Sequence, residues 1–234
     1  MNDLTPPTIR SLSHVTDWVF DLDNTLYPRT CNLFAQIDLR ITNYVMDLTQ
    51  LDFASARELQ KTYYRDFGTT LNGLMHQHRV DAEHFLDNVH AIDYSPVEPH
   101  PELVSVIKDL PGRKFILTNG DTKHARSVLA KLGGDDLFEH VHDIRAMTFV
   151  PKPNRAAYEG FFTLYDIDPT RAVMFDDLEK NLVVPHEVGM TTVQVVAAPD
   201  FAHAQVEAWE LGRASGPHVH HVTDNLAAFL RERP

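Results

Sequence analysis

The chain has 234 residues, 43% of them apolar, and a formal net charge of −12. That length suits one sizeable domain or a core domain carrying a smaller insert, and the acidic balance argues against a nucleic-acid polymer or an anionic membrane surface as partner. No apolar run approaches the roughly 18 residues of a membrane span, and Cys31, the only cysteine, has no partner within the sequence for a disulfide.

The polar start, Met1 to Arg10, carries two prolines and lacks the basic and apolar regions of a signal peptide, so a cytoplasmic location is expected. Trp18-Val19-Phe20 is a short continuous apolar run, the form of a strand buried on both faces of a parallel sheet. Helical patterns fill the stretch from Thr30 to Asp93. Leu33, Phe34, Ile37, Ile41, Tyr44 and Val45 repeat at helical period, as do Leu59, Tyr63 and Phe67 before Gly68. Asp81 reads as the cap of a further helix carrying Phe85 and Val89. This is too much for one crossover helix, so residues 30–93 read as a small all-helical domain inserted into the sheet domain, with Pro28 and Ser95-Pro96 as its linkers. Cys31 falls in a polar turn before the first of these helices and reads as structural.

A helix is predicted over Pro101–Leu110, stopped by Pro111-Gly112, then a strand at Phe115–Leu117 that ends in Thr118-Asn119-Gly120. Helices are predicted at His124–Leu132 and Asn154–Tyr165, a strand at Ala172–Phe175 ending in Asp176-Asp177, and a helix at Asn181–Val188 stopped by Gly189. Two last strands are expected at Thr192–Val196 and Val219–Val222. The alternation predicts an α/β fold with a doubly wound, mostly parallel, Rossmann-like sheet, built from residues 1–29 and 94–234. Ligands bind beyond the carboxyl ends of such strands, so the three polar tips meet in one crevice. The fourteen histidines show no zinc-ligand spacing.

Transfer of a phosphoryl group to a side chain needs an anionic nucleophile, a cation, an acid for the leaving oxygen and fixed donors for the phosphate oxygens. Side chains alternate along a strand, so Asp21 and Asp23 face one side at the first tip. Carboxylates this close repel unless a cation lies between them or one is protonated. Mg²⁺ takes oxygen ligands and retains waters, so few protein carboxylates are needed. Thr118 and Asn119 offer uncharged donors to phosphate oxygens. Lys152, between Pro151 and Pro153, is a cation in a stiff loop, suited to hold nucleophile and phosphate together. Asp177 is the further metal ligand at the third tip, with Asp176 and Asn181 supporting it through bound water.

In this order, DLDNTLY with Asp21, Asp23 and Thr25, LTNG with Thr118-Asn119, PKP with Lys152, and FDDLEKN with Asp176-Asp177 resemble the motifs of the haloacid dehalogenase superfamily, across about Asp17 to Asn225. The resemblance implies Asp21 as nucleophile and metal ligand, Asp23 as general acid and base with its backbone carbonyl on the metal, Thr118 on the transferring group, Lys152 as charge stabiliser and Asp177 as the direct ligand of the last motif. It also implies a helical cap in the insertion. A metal-free dehalogenase has no need of Asp23, and a non-catalytic relative would have lost Asp21, Asp23 or Lys152; a mutase would share Asp23 and the metal. In the insert, Tyr63-Tyr64-Arg65-Asp66-Phe67-Gly68, then Gly73-Leu74-Met75 and His78, with Leu26-Tyr27 in the first motif, resemble the pyrimidine 5′-nucleotidases. That implies a nucleoside monophosphate as the small phosphate ester, with Tyr64, Arg65, His76 and His78 as candidate substrate-binding residues. The alternative is a general phosphatase for small metabolites such as sugar phosphates.

Overall fold

The computed structural model describes residues 10–197 and 216–233. The polar stretch before Arg10, read above as carrying no signal, lies outside the described residues, as do residues 198–215 of the expected core. Six strands form one sheet: β1 (Asp17–Phe20), β2 (Arg113–Leu117), β3 (His140–His142), β4 (Ala172–Asp176), β5 (Thr191–Val195) and β6 (His221–Thr223), in the order β3-β2-β1-β4-β5-β6. Every adjacent pair is parallel. The expected doubly wound α/β fold is therefore present.

All four residues of β1 are buried, as a strand covered on both faces requires. On one face Trp18, Phe20, Ile116 and Phe175 pack with α5 (Pro101–Lys108), α6 (Thr122–Leu132) and α9 (Leu226–Glu232). On the other, Val19, Phe115, Leu117 and Met174 pack with Tyr158 and Phe161 of α7 (Arg155–Tyr165), and with Val184 of the short α8 (Val183–Glu187). β3 was not foreseen. It is a three-residue edge strand reading His-Val-His, with no apolar run to mark it.

Between β1 and α5 lie four α-helices that form the insert: α1 (Leu33–Thr49), α2 (Phe53–Phe67), α3 (Thr70–His78) and α4 (Ala82–Val89). Asp52, Thr69 and Asp81 cap α2, α3 and α4 through the N–H groups of Ser55, Asn72 and His84. The sequence does not separate α3, because Gly73 and Asn72 weaken its helical pattern. Gly73 is required by packing: a Cβ there would sit 2.5 Å from Tyr63 Cβ, so only glycine lets α3 lie this close to α2. The apolar layer of Val19 and Met174 continues into this insert through Ile37, Tyr63, Leu74 and Phe85. Arg145 to Glu83 and Lys123 to Asp87 (2.9 Å) join the sheet domain to α4. Among the described residues no helix is long and apolar enough to cross a membrane.

The chain leaves β1 for β2 on one side and later returns to β4 on the other. That reversal is a topological switch point, and it sets the carboxyl ends of β1, β2 and β4 side by side.

At the far end of the sheet, buried His220 accepts from the backbone N–H of Thr192 through Nδ1 (3.1 Å), which requires that nitrogen to be unprotonated. Burial, with His186 and Arg10 nearby, pushes its imidazole down to about 4. An unfolded histidine titrates near 6.5, so below that pH the unfolded chain binds a proton the folded chain refuses, and stability falls as pH drops from about 6.5 towards 4. His220→Gln keeps an acceptor that does not titrate. Its urea midpoint is expected to change less than that of the unmodified protein between about pH 7.5 and pH 5.

Candidate active site

β1 ends at Phe20, but Asp21 is still tied to the sheet by its N–H on Phe175 O (2.8 Å). The chain then coils back, with Leu26 N on Leu22 O (3.0 Å) and Asn24 in the left-handed region at φ 59°. This turn brings Asp21 and Asp23 to one cleft, which Thr118, Asn119, Lys152, Asp177 and Asn181 also line.

Asp21 Oδ1 accepts from Lys152 Nζ (2.8 Å) and Oδ2 from the Thr25 hydroxyl (3.2 Å). Burial pushes Asp21 up to about 7 against the pull of Lys152, with the Asp176 and Asp23 carboxylates adding to the rise. Lys152 Nζ also donates to Asp176 Oδ2 (2.7 Å). Burial works against its charge, yet Asp176 and Asp21 together hold it well above the usual lysine range.

Asp176 is fully engaged, because its Oδ1 accepts from Leu178 N and from Asn181 Nδ2, both at 2.9 Å. Asp177 is engaged on one oxygen: Oδ2 accepts from Arg29 (2.6 Å) and from Asn24 Nδ2 (3.4 Å). Its burial raises it well above the ordinary carboxylate range, although Arg29 opposes this.

Asn119 lines the cleft, and its amide grips the backbone of Lys152, donating to O (3.1 Å) and accepting from N (2.9 Å). It fixes the loop that carries the lysine and keeps a second amide hydrogen in the cleft where the phosphate is expected. Thr118 is buried, and its Oγ1 accepts from Gly120 N (3.0 Å), which turns the hydroxyl at the tip of β2.

Asp21, Asp176 and Asp177 each offer an oxygen within 4.8 Å of the others. The donors are all hard oxygens, as Mg²⁺ prefers. Asn181 Oδ1 is a buried acceptor without a partner in the protein, suited to a metal-bound water. The residues present therefore fit a divalent cation. Both Asp176 oxygens are bonded within the protein, to Lys152 and to Asn181 and Leu178, whereas Asp177 is bonded through Oδ2 and has Oδ1 to spare for the ion.

The insert departs from expectation. Tyr64 lines the cleft; Lys180 Nζ donates to its hydroxyl (2.8 Å) and lies 4.0 Å from the ring centroid. Arg65, His76 and His78 do not line it. Arg65 has 71% of its side chain exposed and pairs with Asp66; His76 meets the Phe67 ring, and His78 Nε2 lies 2.8 Å from Tyr63 OH. One residue along a helix is a rotation of about 100°, so Arg65 turns away where Tyr64 faces in. Gln60, Lys61 and Asp38 face the cleft instead. Asp38 gathers Arg57 (2.8 Å), Lys61 (3.0 Å) and Gln60 (2.6 Å). Sequence reasoning missed these residues and Arg29, because their meeting depends on how α1 and α2 cross.

The chain belongs to the haloacid dehalogenase-like hydrolase family, whose model matches residues 19–182. It is also similar to Phosphate metabolism protein 8 of Saccharomyces cerevisiae, 25% identical over 189 residues, a match covering 73% of this chain and 58% of that protein. The chain thus spans little more than half the length of that relative. Among solved structures it resembles the L-2-haloacid dehalogenase of Xanthobacter autotrophicus (TM-score 0.56, 16% identity, 93% of this chain and 97% of that one). A HAD phosphatase from Thermococcus onnurineus is similar at TM-score 0.59, with 16% identity and the same coverage of 93% and 97%. At these identities the likeness is one of fold.

Removing Lys152 would leave two buried carboxylates facing each other. Lys152→Met is expected to cost about 3–5 kcal/mol of stability, measured by urea denaturation of the metal-free protein. Adding Asp176→Leu should recover part of that loss; an unshifted midpoint in the single variant would show that the ammonium does not hold the site together.

Proposed function

We propose that the protein is a magnesium-dependent phosphatase acting on small phosphate monoesters, with pyrimidine nucleoside 5′-monophosphates as its substrates. The observation that carries the phosphatase reading is Asp23, a second carboxylate two residues beyond the nucleophile and in the same cleft. Chemistry at carbon has no use for that group, whereas a phosphate ester needs an acid for its leaving oxygen.

Asp21, the Asp23 carbonyl and Asp177 would hold the Mg²⁺. When bound, the ion supplies charge neutralisation for the phosphoryl oxygens. Lys152 keeps one Asp21 oxygen oriented and adds its own positive charge beside the transferring group. The Thr118 hydroxyl donates to an equatorial oxygen. Asp21 attacks phosphorus as the bond to the leaving oxygen breaks, and Asp23 gives that oxygen its proton. Asp23 then takes a proton from water as the water oxygen attacks the aspartyl-phosphate, which releases phosphate and restores Asp21.

Every phosphate ester presents the same group to this centre, so choice falls to the insert. Its cleft face combines an apolar wall, including Phe34, Ile37 and Leu71, with Gln60, Lys61 and Tyr64. An aromatic face stacks on a base, and fixed polar groups penalise a ligand that leaves them unpaired. The resemblance of the insert and of Leu26-Tyr27 to the pyrimidine 5′-nucleotidases supports the same substrate.

The test is a phosphatase screen over nucleotides and sugar phosphates, with and without chelator. Chelation should abolish turnover and added Mg²⁺ restore it, and Asp21→Asn should lower kcat by several orders of magnitude without unfolding. Full turnover in excess chelator would refute the metal-dependent reading. UMP and CMP should exceed AMP and GMP in kcat/KM, and Tyr64→Ala should narrow the gap while Arg65→Ala and His78→Ala leave it. Equal use of purines, or preference for a sugar phosphate, would overturn the nucleotidase reading and leave a general phosphatase.

A further inference from the structure

Asp23 is held by more than its own turn. Its Oδ1 accepts from the Tyr27 hydroxyl (2.6 Å) and lies 2.7 Å from His124 Nε2. His124 comes from the first turn of α6 and is fully buried. The cap of α6 places it, because Asp121 Oδ1 accepts from the His124 N–H at 2.6 Å. The ring stacks on His90, with centroids 4.5 Å apart and planes 11° from parallel. Its far nitrogen, Nδ1, is 3.0 Å from Tyr94 OH, which also reaches the His90 carbonyl (3.1 Å).

This arrangement allows a hydrogen on Nε2 with the ring neutral or charged. Tyr94 donates to Nδ1 of a neutral ring; for a charged ring it accepts from Nδ1 and donates to the His90 carbonyl. With that hydrogen in place, Asp23 Oδ1 meets two donors. The other oxygen, Oδ2, faces the Gly120 and Thr118 side: a Cβ on Gly120 would lie 3.7 Å from it and 3.4 Å from Thr118 Oγ1.

We propose that His124 is the positioning residue of Asp23, fastening Oδ1 together with Tyr27 so that Oδ2 is the oxygen that exchanges protons with the substrate. The proposal rests on the phosphatase reading above. Asp23 takes up a proton on Oδ2 from solvent as the phosphate dianion binds beside it, and in the first step that proton passes to the leaving oxygen as its bond to phosphorus breaks and the Asp21–phosphorus bond forms. Asp23 becomes a carboxylate, and the charge growing on Oδ1 meets both donors, so these hydrogen bonds strengthen in the transition state. In the second step Oδ2 takes a proton from water, the water oxygen bonds to phosphorus, and the Asp21–phosphorus bond breaks. An ester with a poor leaving group depends most on the first proton.

The experiment measures pre-steady-state phosphorylation of the Mg²⁺-loaded full chain by an alkyl phosphate and by p-nitrophenyl phosphate. His124→Leu should slow the alkyl reaction roughly 10–100-fold, at least several times more than the aryl reaction, with KM moving less than about threefold. His124→Gln, which returns a neutral donor, should recover part of the alkyl rate. Tyr27→Phe keeps the ring in place and should show the same leaving-group pattern even if His124→Leu fails to fold. Equal losses for both esters in Tyr27→Phe and the His124 variants, or no recovery in His124→Gln, would overturn the proposal. A wild-type chain that hydrolyses no phosphate ester would instead overturn the reading beneath it.

Discussion

The Lys152 ammonium sits between Asp21 and Asp176 at 2.8 and 2.7 Å, with 1% of its side chain exposed. A surface pair of this kind would contribute little, but here Asp176 is fully buried and Asp21 keeps only 10% of its side chain exposed. The three residues come from separate stretches of chain: the tip of β1, the loop before α7 and the end of β4. Asn119 brings in the tip of β2 by gripping the lysine backbone from both sides. One buried cation therefore fixes the relative positions of all three strand tips. Without it, the acids that the sheet sets side by side would repel, and the crevice would not hold its shape.

The same cluster shows why a metal suits the site. Three buried carboxylates, Asp21, Asp176 and Asp177, share two cations, Lys152 and Arg29. Burial raises both Asp21 and Asp177, which means their charged forms are held at a cost. A divalent cation among those oxygens removes that cost and leaves Asp176 free to serve the lysine. Arg29 has a second role in the geometry, because it lies on the linker that leads into the insert and anchors that linker to the tip of β4.

Much of this was legible in the sequence, and the reason is physical. Parallel strands buried on both faces must be continuous apolar runs, and an acid just beyond such a run can only stand at a strand tip. Asp21, Thr118, Asp176 and Asp177 were readable on that ground. β3 was not, because an edge strand of three residues needs no apolar run. Asn119 was readable at the cleft, but its grip on the lysine loop was not, since nothing local says that its amide meets a backbone 33 residues away. Helical period located the helices around Tyr63 and Phe85, but which side of α2 looks down on the site depends on its crossing with α1. That is why Tyr64 was found with Arg65 beside it, and why Gln60 and Lys61 were not found.

The division between fold and chemistry follows from the same facts. Dehalogenases and a phosphatase share this fold with the chain at TM-scores of 0.56 to 0.59, so the sheet and its insert do not select a reaction. Selection must lie in the groups set around the strand tips. Asp23 is only two residues from Asp21, yet its environment differs in kind. Asp21 faces an ammonium and other acids, and burial drives it upward. Asp23 is half-buried, with 18% of its side chain exposed, and His124 and Tyr27 outweigh its desolvation and hold it below the ordinary carboxylate range. These directions are those of the site without cation and substrate; a divalent cation on Asp21 would lower it and a phosphate dianion beside Asp23 would raise it, which is what a charged nucleophile and a protonated acid require. One turn of backbone separates them, and the buried histidine of α6 gives the second its separate character.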